Sequence, residues 1–190
     1  IQDYENACLS TDFYNSKNQH YSDLFEFEDL INYWLANEFM NNVDTGRWSS
    51  TYMYKDIGGD KFHMGPVWDF DYSSGNPLHT EFNGYSCPPD HWQYGQEGLW
   101  YSKLVGDPYF VTRLQERYWE THDKYEATIP LLDNFSSLLQ ESGAANHSIW
   151  GFGEKFPTES ARLRTWLQDR INWMDKQFAT VDGGLTSLNV

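Results

Sequence analysis

The chain has 190 residues, of which 28 are acidic and 13 are basic, giving a formal net charge of −15 and a pI near 4.6. This charge repels phosphate backbones and anionic lipid, which argues against nucleic acid and membrane surfaces as partners. No run of about 18 apolar residues occurs, so no segment reads as a transmembrane helix. The two cysteines, Cys8 and Cys87, permit at most one disulfide. We expect one domain with a real core, because a chain of this length buries most of its unfolded surface.

Aromatic residues make up 18% of the chain and include nine tryptophans and thirteen tyrosines. Rings that fall in predicted helices are explained by burial in the core, which we favour over surface platforms that stack on sugars. The tryptophans expected to be buried for this reason are Trp34, Trp100, Trp119, Trp166 and Trp173.

The first predicted element is an amphipathic helix over residues 27–41, since residues 1–22 show no clear period. Its apolar side chains recur at helical spacing, and charged or amide side chains lie outside this stripe. The segment that follows contains Asn42, Asp44 and Gly46, which are typical of loops. The apolar stripe consists of Phe27, Leu30, Ile31, Trp34, Leu35 and Phe39.

Two strand-like runs come next, STYMYKD at residues 50–56 and KFHMGPVWDFD at residues 61–71. Residues 57–60 separate them and read as the turn of a hairpin. Alternation in the second run predicts one buried face and one open face. Pro66 cannot donate a backbone hydrogen bond, so this strand is expected at an edge or bent. The buried face would carry Phe62, Met64, Trp68 and Phe70, and the open face Lys61, His63, Asp69 and Asp71.

The rest of the chain is predicted to be a long loop followed by helices. Residues 73–98 are rich in Gly, Pro, Asn and Ser, as in loops that carry or cover a site. A helix begins at Asp107-Pro108, a shorter one covers residues 131–139, and the last begins near Pro157-Thr158. The predicted fold class is therefore α+β, dominated by helix, with one β-hairpin.

Asp69 and Asp71 are the first candidates for chemistry. In an extended segment their Cα atoms would lie about 6.5 to 7 Å apart on one face, close enough to share a divalent cation. Solvated strand-end aspartates, or ligands of a structural Ca²⁺, are the plain alternatives. Asp44 lies in the loop before the hairpin, which can return Asp69 to its neighbourhood. A loop aspartate followed by a metal-binding aspartate is the order found in protein kinases.

These segments together resemble a known family. INYWLANEFMNNVDTGRWSSTYMYKD followed by GGDKFHMGPVWDFDYSSGN resembles the CotH family, spore-coat and secreted proteins described as atypical protein kinases. The similarity is strongest over residues 27–76, and the later LVGDPYFVTRLQERY and LRTWLQDRINWMDKQF also look like helices of this family. Several motifs in order make this resemblance specific.

The resemblance implies a role for each residue of the motifs. Asp44 would orient the acceptor hydroxyl, and Asp69 would bind the metal as the kinase DFG aspartate does. Asp71 would be a second metal ligand, and Asn42 a second ligand or orienting group for the nucleotide. His63 would stack on the adenine, unless it is an ordinary surface histidine.

The implied activity is ATP-dependent phosphorylation of protein Ser/Thr residues with Mg²⁺ or Mn²⁺, in a secreted or spore-coat setting. The fold implied is an atypical kinase-like C-lobe whose hairpin carries the metal-site aspartates. No Gly-rich loop precedes Asp44, and Lys17 is the only lysine before it. We therefore expect residues 1–190 to be the C-terminal portion of a larger kinase-like domain, with the N-lobe absent.

Three interpretations remain open at this stage. Besides the kinase, the chain is compatible with a secreted, non-catalytic structural or carbohydrate/coat-binding module whose acidic loop holds Ca²⁺. A glycoside hydrolase with paired carboxylates is the third. Glu38 reads as a solvated or structural acid, and Lys55 as a surface residue or a phosphate contact.

Overall fold

The computed structural model describes residues 1–45, 50–76, 87–93, 100–151, 155–179 and 188. The predicted α+β class, rich in helix, is confirmed in these ranges. Gly46 and much of the predicted 73–98 loop lie outside the described residues. The elements are α1 (Gln2–Leu9), α2 (Tyr21–Leu24), α3 (Phe27–Met40), β1 (Met53–Tyr54), β2 (His63–Met64), α4 (Tyr101–Leu104), α5 (Pro108–Glu120), α6 (His122–Glu126), α7 (Thr128–Leu138), α8 (Gln140–Trp150) and α9 (Phe156–Gln177).

Helix α3 lies at the centre of the core and agrees with its prediction to within one residue. It packs against α5, α9 and β2, and its stripe residues Leu30, Ile31 and Trp34 are completely buried. The helix ends where Asn41 adopts a left-handed conformation, with φ of 48°. The chain therefore leaves the helix at Asn41 and continues into the segment that carries Asp44.

The hairpin is real but much shorter than predicted. Strands β1 and β2 pair antiparallel, with Met53 opposite Met64 and Tyr54 opposite His63. The Gly65 N–H still donates to the carbonyl oxygen of Tyr52 at 2.9 Å, and the pairing stops after it, because Gly65 has φ of 121° and the next residue, a proline, has no N–H to donate.

The predicted alternation of faces fails in the segment after this strand. Trp68 was expected in the core, but 54% of its surface is exposed, so that expectation is wrong. Phe70 was expected there too, but it is only partly buried. Asp69 has φ of 60°, which is left-handed rather than extended, and parity counted along a strand does not hold through such a residue.

Two of the later helices, α5 and α9, begin close to where they were predicted, and the structure adds helices that the sequence pattern did not reveal. The Asp107 side chain accepts a hydrogen bond from the backbone N–H of Tyr109 at 3.0 Å, which caps α5 as expected. Helix α7, Thr128–Leu138, overlaps the predicted 131–139 segment but begins and ends earlier, and α9 begins at Phe156. Helix α8 was missed because none of its residues is buried, so it has no apolar stripe to detect. No helix in the described ranges is long and apolar enough to cross a bilayer.

Most of the tryptophans predicted to be buried are core residues. Trp34, Trp100 and Trp166 are buried, and Trp173 packs against the core while partly exposed. Trp119 is the exception, with 41% of its surface exposed, so its predicted burial is wrong. Its indole N–H instead donates to the carbonyl oxygen of Phe178 at 2.7 Å, which holds the ring at the surface.

Both cysteines are free thiols buried in the fold, and no disulfide joins them. Burial raises the pKa of the Cys8 thiol to about 12, and it also raises the pKa of Cys87. Both side chains are therefore protonated at neutral pH and act as small packing groups.

A surface cluster of charges joins α3 to α5. The guanidinium of Arg113 donates to Glu28 at 2.6 Å and to Glu120 at 2.9 Å, and Arg117 also donates to Glu120. Hydrogen bonds from Arg113 and Arg117 lower the pKa of Glu120 from 4.5 to about 2, and Arg113 also lowers that of Glu28.

This cluster predicts a specific pH dependence of stability. Because the folded-state pKa of Glu120 is depressed, its stabilising contribution is complete above about pH 4.5 and is lost as the pH falls towards about 2. The difference in free energy of unfolding between the native protein and Arg113→Gln should therefore shrink through that window, measured by urea denaturation at low salt. Lys124→Gln, which removes an exposed charge of the same sign on α6, should show no such trend. A constant Arg113→Gln difference from pH 7 to pH 2 would contradict the prediction.

Candidate active site

The loop after α3 holds Asp44 in a defined position. The side-chain oxygen of Asn42 accepts a hydrogen bond from the Asp44 backbone N–H at 3.2 Å. The Asn42 amide group donates to the Thr45 hydroxyl at 2.7 Å, and Asn42 is completely buried. The Asp44 carboxylate accepts a hydrogen bond of 2.6 Å from the Ser50 hydroxyl. The loop is thus braced from the inside, while its carboxylate remains partly exposed.

The same asparagine connects this loop to the segment that carries Asp69. Its amide nitrogen lies 3.4 Å from the backbone carbonyl oxygens of both Trp68 and Asp69. A backbone hydrogen bond of 3.2 Å from Val43 to Tyr72 adds a second connection. The two predicted catalytic aspartates therefore come from segments that lie side by side.

The carboxyl group of Asp71 lies near enough to that of Asp69 to influence its protonation. The pKa of Asp69 is raised, first by a hydrogen bond with the Asp71 carboxyl group, then by desolvation and by the negative charges of Asp71 and Asp44. Asp71 is fixed on its other side, where its oxygen accepts from the Tyr72 backbone N–H at 3.0 Å. Three acidic side chains thus share one exposed corner of the molecule, and their mutual repulsion favours a bound cation.

The carboxylates of Asp69 and Asp71 could supply part of the coordination shell of Mg²⁺ or Mn²⁺. In the described part of the chain, no group of three or more His, Cys, Asp or Glu side chains is arranged to hold a metal ion. A phosphate-bound Mg²⁺ commonly takes only one or two carboxylates and completes its shell with phosphate oxygens and water. Asp69 and Asp71 would hold such an ion, and the protein by itself would hold it weakly.

His63 lies on β2, and its known contacts are within the hairpin and α3. Its ring stacks on Tyr54 with a centroid distance of 4.9 Å and an interplanar angle of 11°. Its Nδ1 lies 2.6 Å from the Asp29 carboxylate. Its predicted contact with adenine stays a prediction.

A family model described as CotH kinase protein matches residues 2–174. The chain belongs to the CotH family. The match includes the segments of Asp44 and Asp69 and confirms the resemblance predicted from the motifs. Comparison with curated proteins and with solved structures gave no match.

A buried ion pair behind the CotH motifs was not predicted. Glu38 and Arg170 are both completely buried, with a distance of 3.2 Å between Nη2 and Oε2. Burial lowers the pKa of Arg170 to about 10, and the charge of Glu38 opposes this, so the guanidinium remains protonated at neutral pH. Arg170 also donates to the carbonyl oxygens of Pro89 and His91, at 2.8 and 2.6 Å. Glu38 is therefore a structural acid that fixes the end of α3.

Helix α9 also secures the other half of the CotH site. Arg162 donates to the carbonyl oxygens of Ser74 and Gly75, both at 2.9 Å. The Ser74 backbone N–H donates to the carbonyl oxygen of Met40 at 2.8 Å. The turn after Asp71 is thus held between α3 and α9, a connection of 87 or 88 residues in sequence that no local pattern indicates.

Gly75 is required at this turn for two separate reasons. Its φ is 67°, and an added Cβ would lie 2.7 Å from Cδ1 of Trp166. Alanine at this position should lower the free energy of unfolding by about 1–2 kcal/mol because of the left-handed backbone, and by a further ~1–3 kcal/mol because of the clash with Trp166. Gly151, with φ of 64° and nothing within 4 Å of an added Cβ, is the matched control. In urea denaturation, Gly75→Ala should therefore be the more destabilising of the two, and equal losses would show that the packing against Trp166 is unimportant.

Proposed function

We propose that this CotH-family chain transfers the γ-phosphate of ATP to Ser or Thr hydroxyls of a protein, using Mg²⁺ or Mn²⁺. The observation that carries the proposal is the Asn42 contact, which sets the Asp44 loop against the Asp69 segment. A kinase needs one carboxylate at the acceptor hydroxyl and another at the metal on the nucleotide phosphates. The CotH match and the cluster of acids support both roles.

The proposed roles follow from where each side chain lies. Asp44 would accept the hydrogen bond, and then the proton, of the acceptor hydroxyl. Asp69 and Asp71 would hold the cation, which when bound neutralises charge on the transferring phosphate. Asn42 would act through the backbone, because it is buried and its polar atoms contact protein groups. His63 would contact the adenine from the hairpin.

A net charge of −15 opposes binding of a tetra-anionic nucleotide, so nucleotide binding would require basic groups as well as the cation. Lys17 forms an ion pair of 2.7 Å with Asp3, and Lys55 donates to the carbonyl oxygen of Asp60 at 3.1 Å. We therefore propose that the chain forms a kinase-like C-lobe within a larger domain whose N-terminal part supplies these contacts. We also propose a secreted or spore-coat protein as the substrate, with the enzyme in the same location.

The test is transfer of labelled γ-phosphate by the protein at the full length that its gene encodes. We expect incorporation into a protein acceptor with Mg²⁺- or Mn²⁺-ATP, and none with EDTA. A nucleotide at about 100 times its Kd should also stabilise the fold by ~2.7 kcal/mol, seen as a rise in Tm. Absence of transfer with either metal, together with a rise in Tm caused by Ca²⁺ alone, would favour the non-catalytic Ca²⁺-binding module.

The exposed aromatic rings beside the acids do not favour a carbohydrate platform. Tyr52 and Trp68 lie 6.0 Å apart between ring centroids, but their planes are inclined by 70°. Exposed coplanar rings along a groove would favour carbohydrate binding, and this pair is not coplanar. This pair supports neither the carbohydrate-binding nor the hydrolase interpretation.

A further inference from the structure

The proposed base, Asp44, is already hydrogen-bonded to a serine of its own chain. The Ser50 Oγ donates to Oδ2 of Asp44 at 2.6 Å, which is the short distance of a charge-assisted bond. Ser50 is partly exposed, and its carbonyl oxygen accepts a hydrogen bond from the Tyr33 hydroxyl at 3.3 Å. Its backbone is left-handed, with φ of 55°. The hydroxyl is therefore held against the carboxylate by the fold.

The contact between Ser50 and Asp44 has the geometry expected of a phosphate-accepting hydroxyl beside its general base. A general base must lie within hydrogen-bond reach of the proton that it removes, and the Ser50 proton meets that condition before any substrate binds. Serine is also the acceptor class of the proposed reaction. We propose that Ser50 is a phosphorylation site, modified by the same chain through Asp44. This inference rests on the proposed function and names one acceptor for it.

Apart from Ser50 and Asp44, ATP is the only reactant that this transfer needs. The Ser50 Oγ forms a bond to the γ-phosphorus of ATP, and the bond from that phosphorus to the β,γ-bridging oxygen breaks. ADP leaves with the bridging oxygen and its electron pair. The Ser50 hydroxyl proton passes to Asp44. No oxidant, reductant or further reactant is needed.

Phosphorylation of Ser50 would remove the hydrogen bond from Ser50 to Asp44, on which the reaction depends. A phosphoserine carries a charge of about −1.5 to −2 at pH 7, and beside Asp44 it meets a carboxylate of the same sign. The hydrogen bond from Ser50 to Asp44 cannot re-form, because the hydroxyl proton is gone. Phosphorylation would therefore replace an attractive contact of Asp44 with a repulsive one.

The first experiment incubates the full-length protein with Mn²⁺-ATP and no acceptor, and locates phosphate by tandem mass spectrometry. We expect phosphate at Ser50, with a first-order rate constant that does not change over a tenfold dilution of enzyme. Asp44→Asn and Ser50→Ala should lose this signal, and Ser50→Thr should retain it. Ser142→Ala, which removes an exposed hydroxyl on α8, should behave as the native protein.

A mixing experiment separates reaction within one chain from reaction between chains. Asp69→Asn protein, which retains Ser50, is incubated with active Ser50→Ala protein, and its Ser50 should stay unmodified. Phosphate on the inactive copy would overturn the proposal of same-chain transfer.

A protein acceptor supplied in parallel keeps this inference apart from the proposed function. Transfer to the added acceptor without phosphate at Ser50 would overturn the inference and leave the kinase intact. If Ser50→Ala then also slowed that transfer, with Ser50→Thr restoring it, Ser50 would only position Asp44. Absence of transfer to Ser50 and to the acceptor would overturn both proposals.

Discussion

Asparagine in place of Asp69 should slow phosphate transfer on the order of a thousandfold while leaving the fold intact. The substitution keeps the shape of the side chain but removes the charge that would hold the metal, and metal ions contribute rate factors of this size. Asp69 is exposed, so no core contact is lost. Initial rates of γ-phosphate transfer and Tm should be measured on the same preparation.

Two comparisons make the Asp69 result specific. Asp60→Asn removes an exposed aspartate in the hairpin turn and should leave the rate unchanged. Asp71→Asn removes the hydrogen bond and charge that raise the pKa of Asp69, so Asp69 should titrate at lower pH in that variant. A native rate in Asp69→Asn, or a metal requirement satisfied by Ca²⁺ alone, would contradict the assigned role.

Methionine in place of Arg170 should destabilise the fold by about 3–5 kcal/mol. It leaves the Glu38 carboxylate buried without its charged partner, which is the costly way to break a buried ion pair. It also leaves the carbonyl oxygens of Pro89 and His91 without this donor. The free energy of unfolding from urea denaturation is the measurement.

The same helix provides a matched control for Arg170. Arg164 is half exposed and forms a surface ion pair of 3.0 Å with Asp133, so Arg164→Met should cost less than about 1 kcal/mol. Adding Glu38→Gln to Arg170→Met should recover part of the lost stability, since no charge is then buried alone. Equal effects of the two arginine substitutions would show that burial of the pair does not matter.

Sequence reasoning succeeded where a pattern is local. The apolar stripe of α3 and the Asp107 cap of α5 depend on residues a few positions apart, and both lie where predicted. Ordered motifs also identified the family over most of the chain. The proximity of Asp44 and Asp69 followed from the order of loop and hairpin, and Asn42 provides the contact. Their catalytic roles stay predictions.

Sequence reasoning failed where the fold depends on a positive backbone φ angle or on a partner that is distant in sequence. The exposed Trp68 could not be foreseen from alternation, because positive φ values at Gly65 and Asp69 break the parity of the segment. The Glu38–Arg170 pair joins residues 132 positions apart and has no local signature. A glutamate off an apolar stripe reads equally well as solvated, and only the fold reveals its partner.

Two arginines of α9, Arg162 and Arg170, make the candidate site depend on a helix that is distant from its motifs in sequence. Arg162 and Arg170 hold opposite halves of the acidic corner, yet both come from one helix near the C-terminal end of this sequence. A proteolytic cut or premature stop before Arg162 would leave Asp44, Asp69 and Asp71 in the chain but remove the hydrogen bonds that α9 makes to both segments that present them. Such truncated products would retain the complete sequence motif and have no assembled centre, so intact motifs alone are a poor guide to activity in shortened CotH chains.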